Sequence, residues 1–214
     1  MDWTEFYTTA ERHAKWPTEY VTRLVLGRQY LARPFTLNQG SRIVDVGCGG
    51  GANLLPFADR CEVFGVEISD PICAVARDFL ASKNVTADIR AGGNRTIPFD
   101  DKFFNLAMSI NAIHYEPTEA EWHEAVAELA RVSPQVLIST VAPEHDVFKT
   151  AKHVGGRVYE FTYDWRQGAR MTYFTDPDDL AREIGKHFSH VEIGRETQRL
   201  MKTNLDVFIV AAHN

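Results

Sequence analysis

Cysteine is scarce. Cys48, Cys61 and Cys73 are the only three in 214 residues, an odd number without metal-ligand spacing, so neither a disulfide framework nor a thiolate metal site is expected. No apolar run approaches the ~20 residues that cross a bilayer, so no membrane partner is expected. The opening Met1-Asp2-Trp3-Thr4-Glu5 has no basic stretch followed by an apolar core, so no secretory signal is read and a reducing, cytoplasmic setting is expected. Basic charge is also short. The 23 Lys and Arg against 29 Asp and Glu leave a formal −6, which argues against nucleic acid as the main partner. His145 with Asp146, and His187 with His190, lack a third ligand, so no metal is expected. Internal repeats and low-complexity segments are absent, and composition leaves self-association open.

What is present is concentrated at residues 43–51, Ile-Val-Asp-Val-Gly-Cys-Gly-Gly-Gly. A short apolar run ends in glycines that allow a tight turn and leave no side chains between backbone and ligand. A second apolar run, Val63-Phe64-Gly65-Val66, ends in Glu67, 20 positions after Gly47. That is the spacing at which a nucleoside-binding sheet places its acceptor for ribose hydroxyls.

From residue 43 onward, strand and helix patterns alternate, which predicts one α/β domain over 1–214 with a doubly wound, mostly parallel sheet. Strands are expected at 42–46, 61–66, 86–90, 104–110, 135–141, 189–195 and 205–212, the last two as an antiparallel edge pair. Helices are expected after the glycines through Leu54, Leu55 and Phe57, after Ser69-Asp70-Pro71, after a Thr118/Glu121 capping box, and after Asp176-Pro177. Pro56 is tolerable only in the first turn of its helix. The chain divides into a helical cover at 1–40, helical above all from Thr18 to Ala32, a cofactor-binding core at 41–142, a substrate-side insertion at 143–175, and a C-terminal helix with edge strands at 176–214. In the insertion, Tyr159, Phe161, Tyr163 and Trp165 alternate with polar residues, and Arg166-Gln167-Gly168 can turn the chain. This reads as a β-hairpin with one aromatic face.

Asp45 separates two cofactor chemistries. Dinucleotide folds usually place an apolar residue there, and an acid would repel a pyrophosphate, so Asp45 favours a cationic cofactor. Asp45 to Gly51, Glu67 and the Ile97-Pro98-Phe99 turn before Phe103-Phe104-Asn105 resemble the class I S-adenosylmethionine-dependent methyltransferases. The closest likeness is to their small-molecule branch, which includes the ubiquinone and menaquinone biosynthesis enzymes. The resemblance covers about residues 40–140. It implies a seven-stranded sheet with the last strand antiparallel, and S-adenosylmethionine as cofactor. It also implies that Asp45, Gly47, Cys48 and Gly49 surround the methionine part, that Glu67 holds the ribose, and that Ile68 packs on the adenine. The family's adenine-binding acid is missing, since Gly92-Gly93 stands in its place. Gly93 backbone, Asn94 or Thr96 is expected to serve instead.

After the fourth strand come Asn111, Ala112, Ile113, His114 and Tyr115, at the sheet edge where ligands sit. Asn111 is expected at the cofactor's amino-acid end, and His114 is expected to take a proton from a hydroxyl acceptor. Tyr7, Trp16, Tyr20 and Arg23 are candidates for closing over the cofactor. Arg157, Arg166 and Arg170 could grip an acidic acceptor group, but solvated arginines are the safer reading. The expected activity is methyl transfer to a small-molecule hydroxyl, on a sugar or secondary metabolite. One alternative is an NAD-dependent oxidoreductase, for which no Tyr-x-x-x-Lys donor is found. The other is a non-catalytic S-adenosylmethionine-binding subunit. A nucleic-acid amino-methyltransferase should carry an Asn/Asp-Pro-Pro-Tyr-type motif where this chain has Asn-Ala-Ile-His.

Overall fold

A central strand buried on both faces must be apolar in both of its side-chain rows. β1 (Ser41–Val46) is such a strand. Ile43 packs into one layer with Leu54, Phe57, Ala76 and Leu80, whereas Val44 and Val46 pack into the other with Trp122, Leu129 and Leu180. In the computed structural model, which describes residues 3–9 and 15–214, six more strands join it. These are β2 (Cys61–Glu67), β3 (Ala87–Ala91), β4 (Leu106–Ile110), β5 (Gln135–Val141) and, after the insertion, β9 (His190–Arg199) and β10 (Asn204–His213). The sheet order is β3-β2-β1-β4-β5-β10-β9, and β10 runs antiparallel to both neighbours. The chain winds outward from β1 to β3 and then returns to β4 beside β1. The carboxyl ends of β1 and β4 therefore flank the crevice where open α/β sheets bind ligands.

Five helices cover the sheet: α1 (Trp3–Thr8), α2 (Glu19–Leu26), α3 (Asp70–Ser82), α4 (Glu119–Val132) and α5 (Pro177–Ile184). Thr118 caps α4 by accepting from the Glu121 N–H at 3.2 Å, and Asp176 caps α5 by accepting from Asp178 at 2.9 Å. The expected helix after the glycine loop is instead a short 3₁₀ segment, Ala52–Phe57, with Pro56 inside it. Proline there removes a donor and collides with the preceding turn, so no α-helix propagates.

The expected helix from Thr18 to Ala32 also stops early, at Leu26. At Gly27 a Cβ would lie 2.5 Å from the Arg23 carbonyl oxygen, which accepts the Gly27 N–H at 2.8 Å. The parts of the expected cover at residues 1–2 and 10–14 lie outside the described residues. Strand four starts at Leu106 rather than 104, because Asn105 turns its side chain to accept the Arg42 N–H at 2.8 Å.

The insertion is a three-stranded antiparallel sheet: β6 (Ala151–Gly155), β7 (Val158–Phe161) and β8 (Arg170–Thr172). The expected hairpin is its β7–β8 half. The aromatic row breaks after Phe161, which is buried, because the strand ends there and Asp164 turns at φ +65°. Tyr163 points to solvent, while Trp165 crosses to α1. Among the described residues no helix is long and apolar enough to cross a membrane, and no group of three His, Cys, Asp or Glu is placed to hold a metal ion.

Candidate functional site

A cavity of about 810 Å³ opens at the crevice. Its floor is the glycine loop after β1, and its sides are the ends of β2 and β4 and the turn at 92–96. Of the residues nominated by sequence, Gly47, Cys48, Gly49, Glu67, Ile68, Gly93, Asn94 and Asn111 line it. Asp45 and His114 do not.

Two glycines are sterically required. Gly47 sits at φ +76°, and a Cβ there would lie 2.5 Å from the Ala112 Cβ. Gly49 sits at φ +54°, and a Cβ there would lie 2.8 Å from the Tyr7 ring. The loop can thus lie against both the β4 loop and the cover helix only where it has no side chains. Gly49 donates its N–H to Glu67 Oε1 at 2.7 Å, and Ile68 donates to Oε2 at 2.9 Å. Burial raises the Glu67 carboxyl above its ordinary range, and these two N–H groups partly offset that. Ile68 is 62% exposed, a large apolar surface open to the cavity.

Asp45 is buried behind the loop, and neither carboxyl oxygen has a hydrogen-bond partner. Desolvation pushes its carboxyl up to about 8, with Asn53 nearby acting the other way. Cys48 is likewise pushed well up, chiefly by burial, so it is an inert thiol filling the turn.

Asn111 adopts φ +56° and is fixed by a relay. Tyr20 donates to Ser139 Oγ at 2.9 Å, and Ser139 donates to Asn111 Oδ1 at 3.0 Å. Beyond that relay, Asn111 lines the cavity. Asn94 is held the opposite way. Its nitrogen donates to Glu116 Oε1 at 2.9 Å, so its oxygen is the acceptor left over.

His114 lies against Tyr115, with ring centroids 4.4 Å apart, and its Nδ1 has no partner. Burial first, then the charges of His145 and Arg166, lower its pKa to about 3. Tyr115 lines the cavity wall, whereas His114, the expected proton acceptor, is not among the lining residues. Sequence spacing places a residue at the end of β4 but does not orient its side chain.

Tyr7 and Trp16 line the cavity as expected, whereas Tyr20 acts through its relay and Arg23 pairs with Glu19 instead. Each of the three insertion arginines is ion-paired, and Arg170 is also exposed to solvent. Arg157 bridges Glu119 and Asp179 at 2.6 and 2.8 Å, Arg166 pairs with Asp164 at 2.6 Å, and Arg170 pairs with Glu160 at 3.2 Å. None of the described lining residues comes from the insertion. It reaches the cavity through Trp165, which meets Trp3 at 4.9 Å and stacks on Phe6 at 4.6 Å. Sequence reasoning missed Trp3, Asn53 and Glu116. Glu116 was discoverable as an acid two residues beyond His114; Trp3 carried no local signal.

Residues 43–134 match the family model of a methyltransferase domain. The solved structure of an S-adenosylmethionine-dependent methyltransferase from Methanosarcina mazei superposes with a TM-score of 0.63 at 18% identity, over 83% of this chain and 94% of that one. The chain has the class I S-adenosylmethionine-dependent methyltransferase fold. Among curated relatives, the tRNA (carboxymethyluridine(34)-5-O)-methyltransferase of Arabidopsis thaliana is 30% identical over 141 residues, 64% of this chain and 30% of that protein. A ubiquinone biosynthesis O-methyltransferase of Mesorhizobium japonicum is 25% identical over 159 residues, 72% of this chain and 60% of that protein. The chain thus matches less than two thirds of the length of either relative.

The cofactor of this methyltransferase fold is S-adenosylmethionine, and the cavity fits it. A Cβ on Gly93 would meet nothing within 4 Å, so the cavity is open beside that glycine. The end of β2 offers Glu67 as an acceptor beside the exposed Ile68. Asp45, unpartnered behind the loop and held protonated at neutral pH by burial, can ionise toward a ligand that carries an ammonium and a sulfonium.

Proposed function

We propose that this protein transfers a methyl group from S-adenosylmethionine to a small-molecule acceptor, at a hydroxyl of a sugar or secondary metabolite. The observation that carries the reading is Glu67, held by Gly49 and Ile68 on one side of a cavity whose other side is the β4 loop. Bound there, S-adenosylmethionine supplies a methyl group on a positively charged sulfur, an intrinsically reactive donor.

The protein's part is placement and exclusion of water. Glu67 accepts from the ribose hydroxyls, Ile68 packs on the adenine, and Asn94 Oδ1 accepts from the adenine amino group. Gly47, Cys48 and Gly49 admit the methionine portion, and the Asn111 amide donates to its carboxylate. Tyr7, Trp16 and Tyr115 shield the reacting end. Tyr7 keeps its proton throughout the physiological range, because burial and the nearby Glu67 hold its pKa far up. It is therefore a donor and not a base. The three buried free thiols fit a reducing cytoplasmic setting.

The test is calorimetric titration with S-adenosylmethionine and NAD, followed by transfer of labelled methyl to hydroxylated metabolites and, in parallel, to tRNA. Heat with the first cofactor only, and label in a small molecule, are expected. Uptake of NAD alone would support the oxidoreductase alternative. Label in tRNA would move the protein toward its Arabidopsis relative. Cofactor binding with no transfer to any acceptor would support a non-catalytic subunit.

A further inference from the structure

The charge inside the cavity restricts what the acceptor can be. Its described lining residues include three carboxylates, Glu67, Glu116 and Glu124, and a single guanidinium, Arg95. That cation is already engaged. Arg95 Nε lies 3.0 Å from Glu116, and Nη1 lies 3.2 Å from Glu121 and 3.5 Å from Glu124. Four other arginines, Arg23, Arg157, Arg166 and Arg170, are not among the lining residues, and each holds an acid of its own. S-adenosylmethionine carries a net positive charge, so the acidic lining suits it. An anionic second ligand would enter a partly buried space where, among the described lining residues, no unpaired cation receives it.

The lining also carries four aromatic rings. Trp3, Tyr7 and Tyr115 stand around the cavity, and Trp16 sits on its rim with 81% of its surface exposed. A large exposed indole beside an open cavity is a surface for stacking a flat or cationic ligand.

Resting on the methyltransferase reading above, we infer that the acceptor is a flat, neutral or cationic small molecule, and that this cavity discriminates against acceptors bearing a carboxylate or phosphate. The acids and the aromatic rings select together. The rings supply contact area that all flat acceptors share, and the lining charge separates them by sign. Polyanions are the extreme case of the disfavoured class.

The test uses the full chain saturated with S-adenosylhomocysteine and a matched series of probes: catechol, dopamine and protocatechuate, with tRNA as the polyanion. Binding is read by tryptophan fluorescence and by calorimetry. Catechol and dopamine should bind at least about 10-fold more tightly than protocatechuate, the scale of one unscreened charge contact at a protein surface. The gap should narrow as salt rises from about 0.05 to about 0.5 M, because screening shortens the reach of the lining charge. It should also narrow in Glu124→Gln, which removes the most exposed of the three acids. Equal or tighter binding of protocatechuate or tRNA overturns the inference, and so does failure of every probe to bind the loaded protein. Failure of S-adenosylhomocysteine itself to bind would instead sink the methyltransferase reading, which keeps the two outcomes apart.

Discussion

Adding one methyl group at Gly47 should unseat the floor of the cavity. The new Cβ would stand 2.5 Å from the Ala112 Cβ, whereas carbon atoms rest at about 3.5–4.0 Å, so the loop after β1 and the loop after β4 must part by roughly 1 Å. Overpacking of this kind costs about 1–3 kcal/mol. The φ of +76° adds about 1–2 kcal/mol for any L side chain. The sum is about 2–5 kcal/mol, which for a chain of this size lowers Tm by roughly 5–15 °C. The two contributions can be separated. In Gly47→Ala with Ala112→Gly the collision is gone and only the backbone cost remains, so the double variant should regain roughly a third to three quarters of the loss, measured against Ala112→Gly alone. Thermal melts of the four proteins, with calorimetric titration of S-adenosylmethionine, complete the cycle. Affinity should fall at least about 10-fold in Gly47→Ala, since a 1 Å displacement spoils a preformed site. A Tm within about 2 °C of the parent, or a double variant no better than the single, would refute the steric account.

Asp45 makes the ligand-free protein sensitive to pH. Its folded-state carboxyl is raised from 3.8 to about 8, so the stability it permits is full below about pH 4 and is lost as pH rises toward 8. Asp45→Asn should flatten that part of the melting-temperature profile. Titrating wild type with S-adenosylmethionine at pH 7 in buffers of different ionisation enthalpy should reveal proton release that the variant lacks. His114→Ala should lower turnover by less than about 10-fold and leave cofactor affinity intact, since a direct general base would be worth about 100-fold or more. A loss of that larger size would restore His114 as the proton acceptor.

The sheet was legible because buried parallel strands are continuous apolar runs. β5 begins and ends at the expected residues, 135 and 141, and the antiparallel pair at the edge followed from the missing helix between the last two strands. The glycine loop and Glu67 were legible because backbone geometry and spacing alone determine their placement. Failures came where one residue overrides a pattern or where partners are distant in sequence. Pro56 turned an apolar helix pattern into a 3₁₀ segment, and Gly27 stopped α2. The approach of Trp165 to Trp3 joins positions 162 residues apart, which no local period reports. Side-chain direction at His114 depends on its packing against Tyr115, so spacing alone named the loop and not which of its rings lines the cavity.

The carboxylate of Glu67 is engaged before any ligand arrives. Each of its oxygens already receives one amide, from Gly49 and from Ile68. A carboxylate has about four lone-pair directions, so roughly two are left for a guest. Glutamine, the same size and shape, would turn an NH₂ toward one of those amides and set donor against donor. The isosteric replacement would therefore do more harm at this position than shortening the chain by a carbon.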